Sequence, residues 1–269
     1  MIELAYIQKQ PDHGEFLSEA GYTFWHGCQQ LGIDTKPFFP DDIEALELRP
    51  ETVVYGGIGM VRRALDRLGA PQPRVDGMPP EECLELYGRR IWATTMTEVR
   101  EGYEDNRFFF IKPLRIHKAF AGHVTSGNLC DLARTATLDN NFEVMASDVV
   151  NFRVEYRLFV HRKRVIGCRF YNGDFRVAPD FAVAEKFIQR YQAQPVAFSL
   201  DLGVTDKGQT LVVEINDAFS LGAYGLGSIP YARMVTDRWE EMVSCVTPSE
   251  ETLSDKAIQF AQNGCNCRP

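Results

Sequence analysis

Ser199-Leu200-Asp201-Leu202-Gly203 and Val212-Val213-Glu214-Ile215-Asn216 decide how this chain is read. Each is an apolar run with one acid set into it, and a tight Asp206-Lys207-Gly208 turn lies between them. Runs of this kind joined by so short a connection are expected to be antiparallel neighbours in a sheet. Alternation along a strand puts Glu214 and Asn216 on one face, and antiparallel pairing brings Asp201 beside them. Two carboxylates and an amide oxygen make a hard oxygen cluster of the kind that takes Mg²⁺. A solvated sheet face is the alternative, and the apolar flanks on both strands speak against it.

Upstream, Phe108-Phe109-Phe110-Ile111-Lys112-Pro113-Leu114 closes an apolar strand with a lysine and stops it with a proline. Such a lysine either snorkels to solvent or is aimed at an anion. The loop Arg115–His123 follows, with Lys118, His117 and His123 among small residues. A loop of this composition can fold over phosphates, using lysine as a point charge. A third feature runs from Val144 to Arg157. An Asp148-Val149-Val150 step leads into a strand in which Glu155 and Arg157, two apart, share a face. The step offers backbone groups to a flat base; Glu155 suits a ribose diol and Arg157 a phosphate held bidentately.

Strand candidates are dense from Phe108 onward: 108–112, 142–146, 154–161, 164–171, 198–204 and 210–215, interrupted by a helix over 180–191. Before them, strands over 2–7, 36–39 and 52–55 alternate with helices over 16–31 and from about Gly59. Strand, helix, strand, strand, helix predicts a small α/β unit with a largely parallel sheet. The Ala70–Pro80 stretch holds four prolines and reads as a linker. A helix from Tyr231 to about Cys245 and a last one opened by Ser249 complete the chain.

In order and spacing, these motifs resemble an ATP-grasp domain. Ile111-Lys112-Pro113, Lys118-Ala119-Phe120-Ala121-Gly122, Glu155-Tyr156-Arg157-Leu158-Phe159-Val160 and Val213-Glu214-Ile215-Asn216 further resemble the clade of that superfamily named for one arginine and two lysines. The resemblance implies an α/β fold of the α+β ATP-grasp kind. It places a pre-ATP-grasp unit at 1–88, a two-subdomain ATP-grasp domain with mixed and antiparallel sheets at 89–245, and a C-terminal helix and tail at 246–269. It implies ATP and Mg²⁺, with Lys112 on the α- and β-phosphates and Lys118 in the loop over the β- and γ-phosphates. Asp148, Val149 and Val150 would meet adenine, Glu155 the ribose, and Asp201, Glu214 and Asn216 the metal. Arg157 and Arg169 are the candidates for the transferred phosphoryl group. The chain departs from many ATP-grasp enzymes in lacking a Gly/Ser-rich phosphate loop, and Arg89 or Arg90 stands where a first nucleotide-contacting lysine is expected.

The implied chemistry is ligation: a carboxylate is activated as an acylphosphate and captured by an amine, with a small molecule or peptide as substrate. A small-molecule kinase and a nucleotide-binding regulatory module without turnover are the alternatives. Amine-dependent ADP release separates the first from ligation, and the metal trio argues against the second. The chain has 269 residues, a net charge of -8 and a pI near 5.2, so nucleic-acid binding would need a local basic patch. No apolar run reaches the roughly 18 residues of a membrane span, and MetIleGluLeuAlaTyrIle reads as a first strand, so the cytoplasm is expected. Seven scattered cysteines do not form a disulfide framework, and Cys265-Asn266-Cys267 alone has too few ligands for a metal. Gly56-Gly57-Ile58-Gly59 lacks the full dinucleotide spacing and reads as a structural turn.

Overall fold

The computed structural model describes residues 1–73, 77–105, 107–115 and 119–246. The expectations for Lys118, His117, Ser249 and the Cys265/Cys267 pair lie outside these residues. In chain order the elements are β1 (Leu4–Gln8), α1 (Glu19–Leu31), β2 (Asp34–Phe38), β3 (Thr52–Tyr55), α2 (Ile58–Arg67), β4 (Ile91–Thr95) and α3 (Met96–Glu104). Then come β5 (Phe110–Pro113), β6 (His123–Val124), α4 (Leu129–Thr135), β7 (Glu143–Ser147), β8 (Phe152–His161) and β9 (Arg164–Gly173). The last are α5 (Ala182–Arg190), β10 (Ala197–Thr205), β11 (Thr210–Asp217) and α6 (Ser228–Val243). Among the described residues no helix is long and apolar enough to cross a membrane.

The chain divides into two compact units, one of residues 1–72 with the chain from Ala218, the other of Pro73–Asp217. These limits differ from a division at residue 88. The short 3-10 helix Glu81–Tyr87 packs within the second unit, and α6 groups with the first.

In the first unit the sheet order is β2-β1-β3, with β1 parallel to both neighbours. Ser18 caps α1 by accepting from the Gly21 N–H, and Gly32 ends it in the left-handed region at φ 73°. Ala20, Phe24 and Cys28, at i, i+4 and i+8, form its buried stripe. The Phe24 ring stacks on Tyr55 at 4.4 Å, and the Tyr55 hydroxyl lies 2.9 Å from that of Tyr231 on α6. Gly27 lets the two helices approach: a side chain there would collide with the Ser228 carbonyl and lie 2.6 Å from the Ala232 methyl. The Gly56-Gly57 turn is held by Gln8, whose Oε1 accepts from the Gly57 N–H at 2.8 Å.

The second unit contains two antiparallel four-stranded sheets. The smaller, in the order β4-β7-β5-β6, buries Ile111, Val144 and Ala146 against Met96 and Val99 of α3. The larger runs β11-β10-β8-β9. One of its faces (Leu158, Val160, Leu200, Leu202, Val212) packs on Ala184, Phe187 and Ile188 of α5 and on Cys83, Leu86 and Tyr87. Arg89 ties the sheet's edge to β4: its guanidinium donates to the carbonyls of Val212 at 2.8 Å and Val213 at 2.9 Å. Residues 148–151 connect β7 of the smaller sheet to β8 of the larger.

Candidate active site

The face of the larger sheet opposite that core carries the charges. The strand register aligns Glu214 of β11 with Asp201 of β10, Asp201 with Arg157 of β8, and Arg157 with Arg169 of β9. Two acids and two arginines therefore form one row across four strands. Asn216 lies one step along β11 on the same face, opposite Ser199. A bulge at Val213 shifts the register beyond this point, so Val212, two residues before Glu214, pairs with Leu202 and joins it on the core face.

Asp201 is 1% exposed, so the solvated-face alternative does not describe it. Both of its oxygens are taken by one guanidinium, with Nε of Arg157 donating at 2.8 Å to Oδ1 and Nη2 at 2.6 Å to Oδ2. This is the planar fork geometry arginine offers a carboxylate. Burial pushes the Asp201 carboxyl up to about 6, against the opposing pull of Arg157. The bidentate contact is that of a charged pair. Nη2 of Arg157 also stands 3.8 Å from Oε1 of Glu214.

Glu155, also on this face, is engaged by Tyr171 and Asn172: the phenol donates to Oε2 at 2.8 Å and the amide to Oε1 at 2.9 Å. Burial, then the nearby Asp201 and Glu155 carboxylates, push the Tyr171 phenol up. Sequence reasoning marks neither Tyr171 nor Asn172 as a site residue. The period of two from Arg169 to Tyr171 is the signal that could have found the first; the second needs the bulge that pairs Asn172 with Glu155.

Lys112 stands on β5 of the smaller sheet, opposite Met145, and so on a different sheet from the charged row. Asp148 is anchored to Arg90: its N–H donates to the Arg90 carbonyl at 3.0 Å, and its Oδ2 accepts from the Arg90 N–H at 3.1 Å. Arg90 itself lies over the Trp92 ring at 4.2 Å. Val149 is exposed and Val150 half-buried, so the connection keeps an open edge. His123 is buried on β6, with Nδ1 3.0 Å from the Ala121 carbonyl.

Two of the three expected cation ligands fit that role. Glu214 is partly exposed, and the Asn216 amide nitrogen donates to its Oε1 at 2.9 Å, which leaves the amide oxygen as the group's acceptor. Asp201 does not fit in the same way, because its oxygens face Arg157. Among the described residues there is no group of three or more His, Cys, Asp or Glu side chains that could hold a metal.

Two antiparallel four-stranded sheets joined by residues 148–151, one bearing this row, are the architecture that the sequence motifs lead one to expect. Residues 86–234, more than half of the chain, match the ATP-grasp domain of family 2 in the clade named for one arginine and two lysines, and the protein belongs to that family. Solved structures share the fold. D-cycloserine synthetase DcsG superposes with a TM-score of 0.56 at 14% identity, covering 88% of this chain and 99% of that one. D-alanine--D-alanine ligase from Bacillus anthracis, complexed with ATP, gives 0.56 at 15% identity, covering 88% and 97%. N5-carboxyaminoimidazole synthetase from Staphylococcus aureus gives 0.52 at 14%, covering 88% and 77%. A search of curated proteins finds no match.

Proposed function

We infer that this protein is an ATP-dependent carboxylate–amine ligase acting on a small molecule or peptide. The observation that carries the reading is the Glu214–Asp201–Arg157–Arg169 row in a chain of the ATP-grasp family. Several of its structural neighbours are named as ligases or synthetases, one of them complexed with ATP.

Under this reading Lys112 and Lys118 neutralise the nucleotide phosphates, the 148–150 connection offers backbone groups to adenine, and Glu155 binds the ribose. Glu214 and Asn216 would hold Mg²⁺, which when bound supplies charge compensation to the phosphates. Arg157 and Arg169 stand side by side on neighbouring strands, where fixed guanidinium charges can meet a phosphoryl group in transfer. A substrate carboxylate oxygen attacks the γ-phosphorus and the bond to the ADP oxygen breaks. An amine then attacks the acyl carbon, inorganic phosphate leaves, and the amine proton is released with the amide formed. The protein's work is positioning and electrostatics, with no side-chain nucleophile.

ADP release measured against panels of carboxylates, with and without amines, tests the reading. Ligation predicts release that depends on both partners and an amide product by mass spectrometry. Release with hydroxyl acceptors alone would indicate a kinase, and nucleotide binding without release would indicate a regulatory module. Arg169→Ala is expected to lower amide formation by about 100-fold, as loss of one preorganised charge-stabilising group does.

A further inference from the structure

The pairing of Asp201 bears on how the proposed site divides its labour. A carboxylate that ligates a cation turns an oxygen lone pair towards it. Asp201 turns a lone pair of each oxygen to Arg157, at 2.8 and 2.6 Å, and is almost completely shielded. A divalent cation bonded to the same oxygens would share them with a guanidinium, setting two positive charges against each other where little water screens them. Glu214 and Asn216 are arranged differently. They are hydrogen-bonded to one another, two apart on the edge strand; Glu214 is partly exposed, and its Oε1 stands 3.8 Å from Arg157 Nη2, beyond hydrogen-bond distance. One carboxylate and one amide oxygen suffice for Mg²⁺, which ordinarily keeps waters and takes its remaining oxygens from phosphates.

We propose that Asp201 is a positioning residue for Arg157 rather than a metal ligand, so that the protein's share of the cation shell comes from Glu214 and Asn216. The inference rests on the ligase reading above. Asp201 fixes the plane of the guanidinium in the row between Glu214 and Arg169, and so sets how Arg157 meets a polyphosphate.

Mn²⁺ with ADP, bound to the full-length protein, is the probe. Pulsed electron–nuclear double resonance is recorded on protein labelled with ¹³C at aspartate carboxyls and, separately, at glutamate carboxyls. Ligand-range coupling from glutamate and none from aspartate is expected; such coupling from aspartate overturns the assignment and leaves the ligase reading intact. Glu214→Gln should weaken Mn²⁺ binding at least tenfold. Asp201→Asn should cut the preference for ATP over AMP at least tenfold, with partial recovery in Asp201→Glu, a change that mere loss of folding stability would not produce. An unchanged preference in Asp201→Asn also overturns it. Should that variant not fold, the double-resonance result on the wild-type protein decides alone. If the wild type binds neither ATP nor Mn²⁺ with ADP, the ligase reading falls together with this inference.

Discussion

Arg157 and Asp201 are each other's compensation inside the sheet, and neither is tolerable there without the other. Arg157→Ala leaves a buried carboxylate unpaired and is expected to cost roughly 3–5 kcal/mol in urea unfolding. Replacing both at once, Arg157→Met with Asp201→Leu, should leave the midpoint unchanged or higher, since an apolar pair needs no such compensation. The cysteines offer a second prediction. Burial pushes the Cys28 thiol up to about 12 and Cys83 to about 11, both above the unfolded value of 9.0. Their contribution to stability is therefore complete below pH 9 and lost as pH rises towards 11–12. Unfolding midpoints should be lower at about pH 10.5 than at pH 8. A thiol reagent at pH 8 should modify exposed Cys130 and Cys245 but reach Cys28 only on unfolding. The facing of Glu214 and Asn216 could be read from spacing alone, since residues two apart in a strand share a side. The Arg157–Asp201 pair could not: it joins positions 44 residues apart and depends on a register the sequence does not print.

At the level of elements, the hairpin between β8 and β9 turns through Arg162 and Lys163, both in the left-handed region at φ 50° and 62°. Side chains with a Cβ resist that conformation, and the matching turn prefers asparagine followed by glycine. Arg162→Asn with Lys163→Gly should raise stability by about 1 kcal/mol in thermal unfolding, without changing the strand register. Gly27 gives the opposite case. Gly27→Val puts a branched side chain against Ser228 and Ala232, and is expected to cost at least about 1–3 kcal/mol. The long strands β8, β10 and β11 were legible because β-branched, aromatic and leucine residues dominate them, with only single polar residues between. β4 (Ile-Trp-Ala-Thr-Thr) and the polar helices α3 and α4 were not, because their patterns are short and their burial comes from partners distant in the chain. Two-residue β6 exists only as a pairing with β5.

For the whole molecule, the parallel α/β unit and the two antiparallel sheets were foreseen, but not the return of the chain to the first unit after β11. Residues 218–228 follow β11 directly, and nothing local in their glycines tells which unit they join. Contacts between α1 and α6 settle that at a distance. A chain ending at Asp217 should therefore keep slow hydrogen exchange in β8 and β10, while β1 and α1 exchange freely. Equal protection of α1 in that truncation would show that the first unit does not need α6.

That return also imposes a timetable on synthesis. A ribosome delivers β1 and α1 before the second unit, yet the helix that packs on α1 comes after Asp217. The inserted second unit can complete itself while the earlier segment still waits with its apolar stripe uncovered. Birth order and maturation order run in opposite directions, and the nascent N-terminal segment is where a chaperone would find the most to hold.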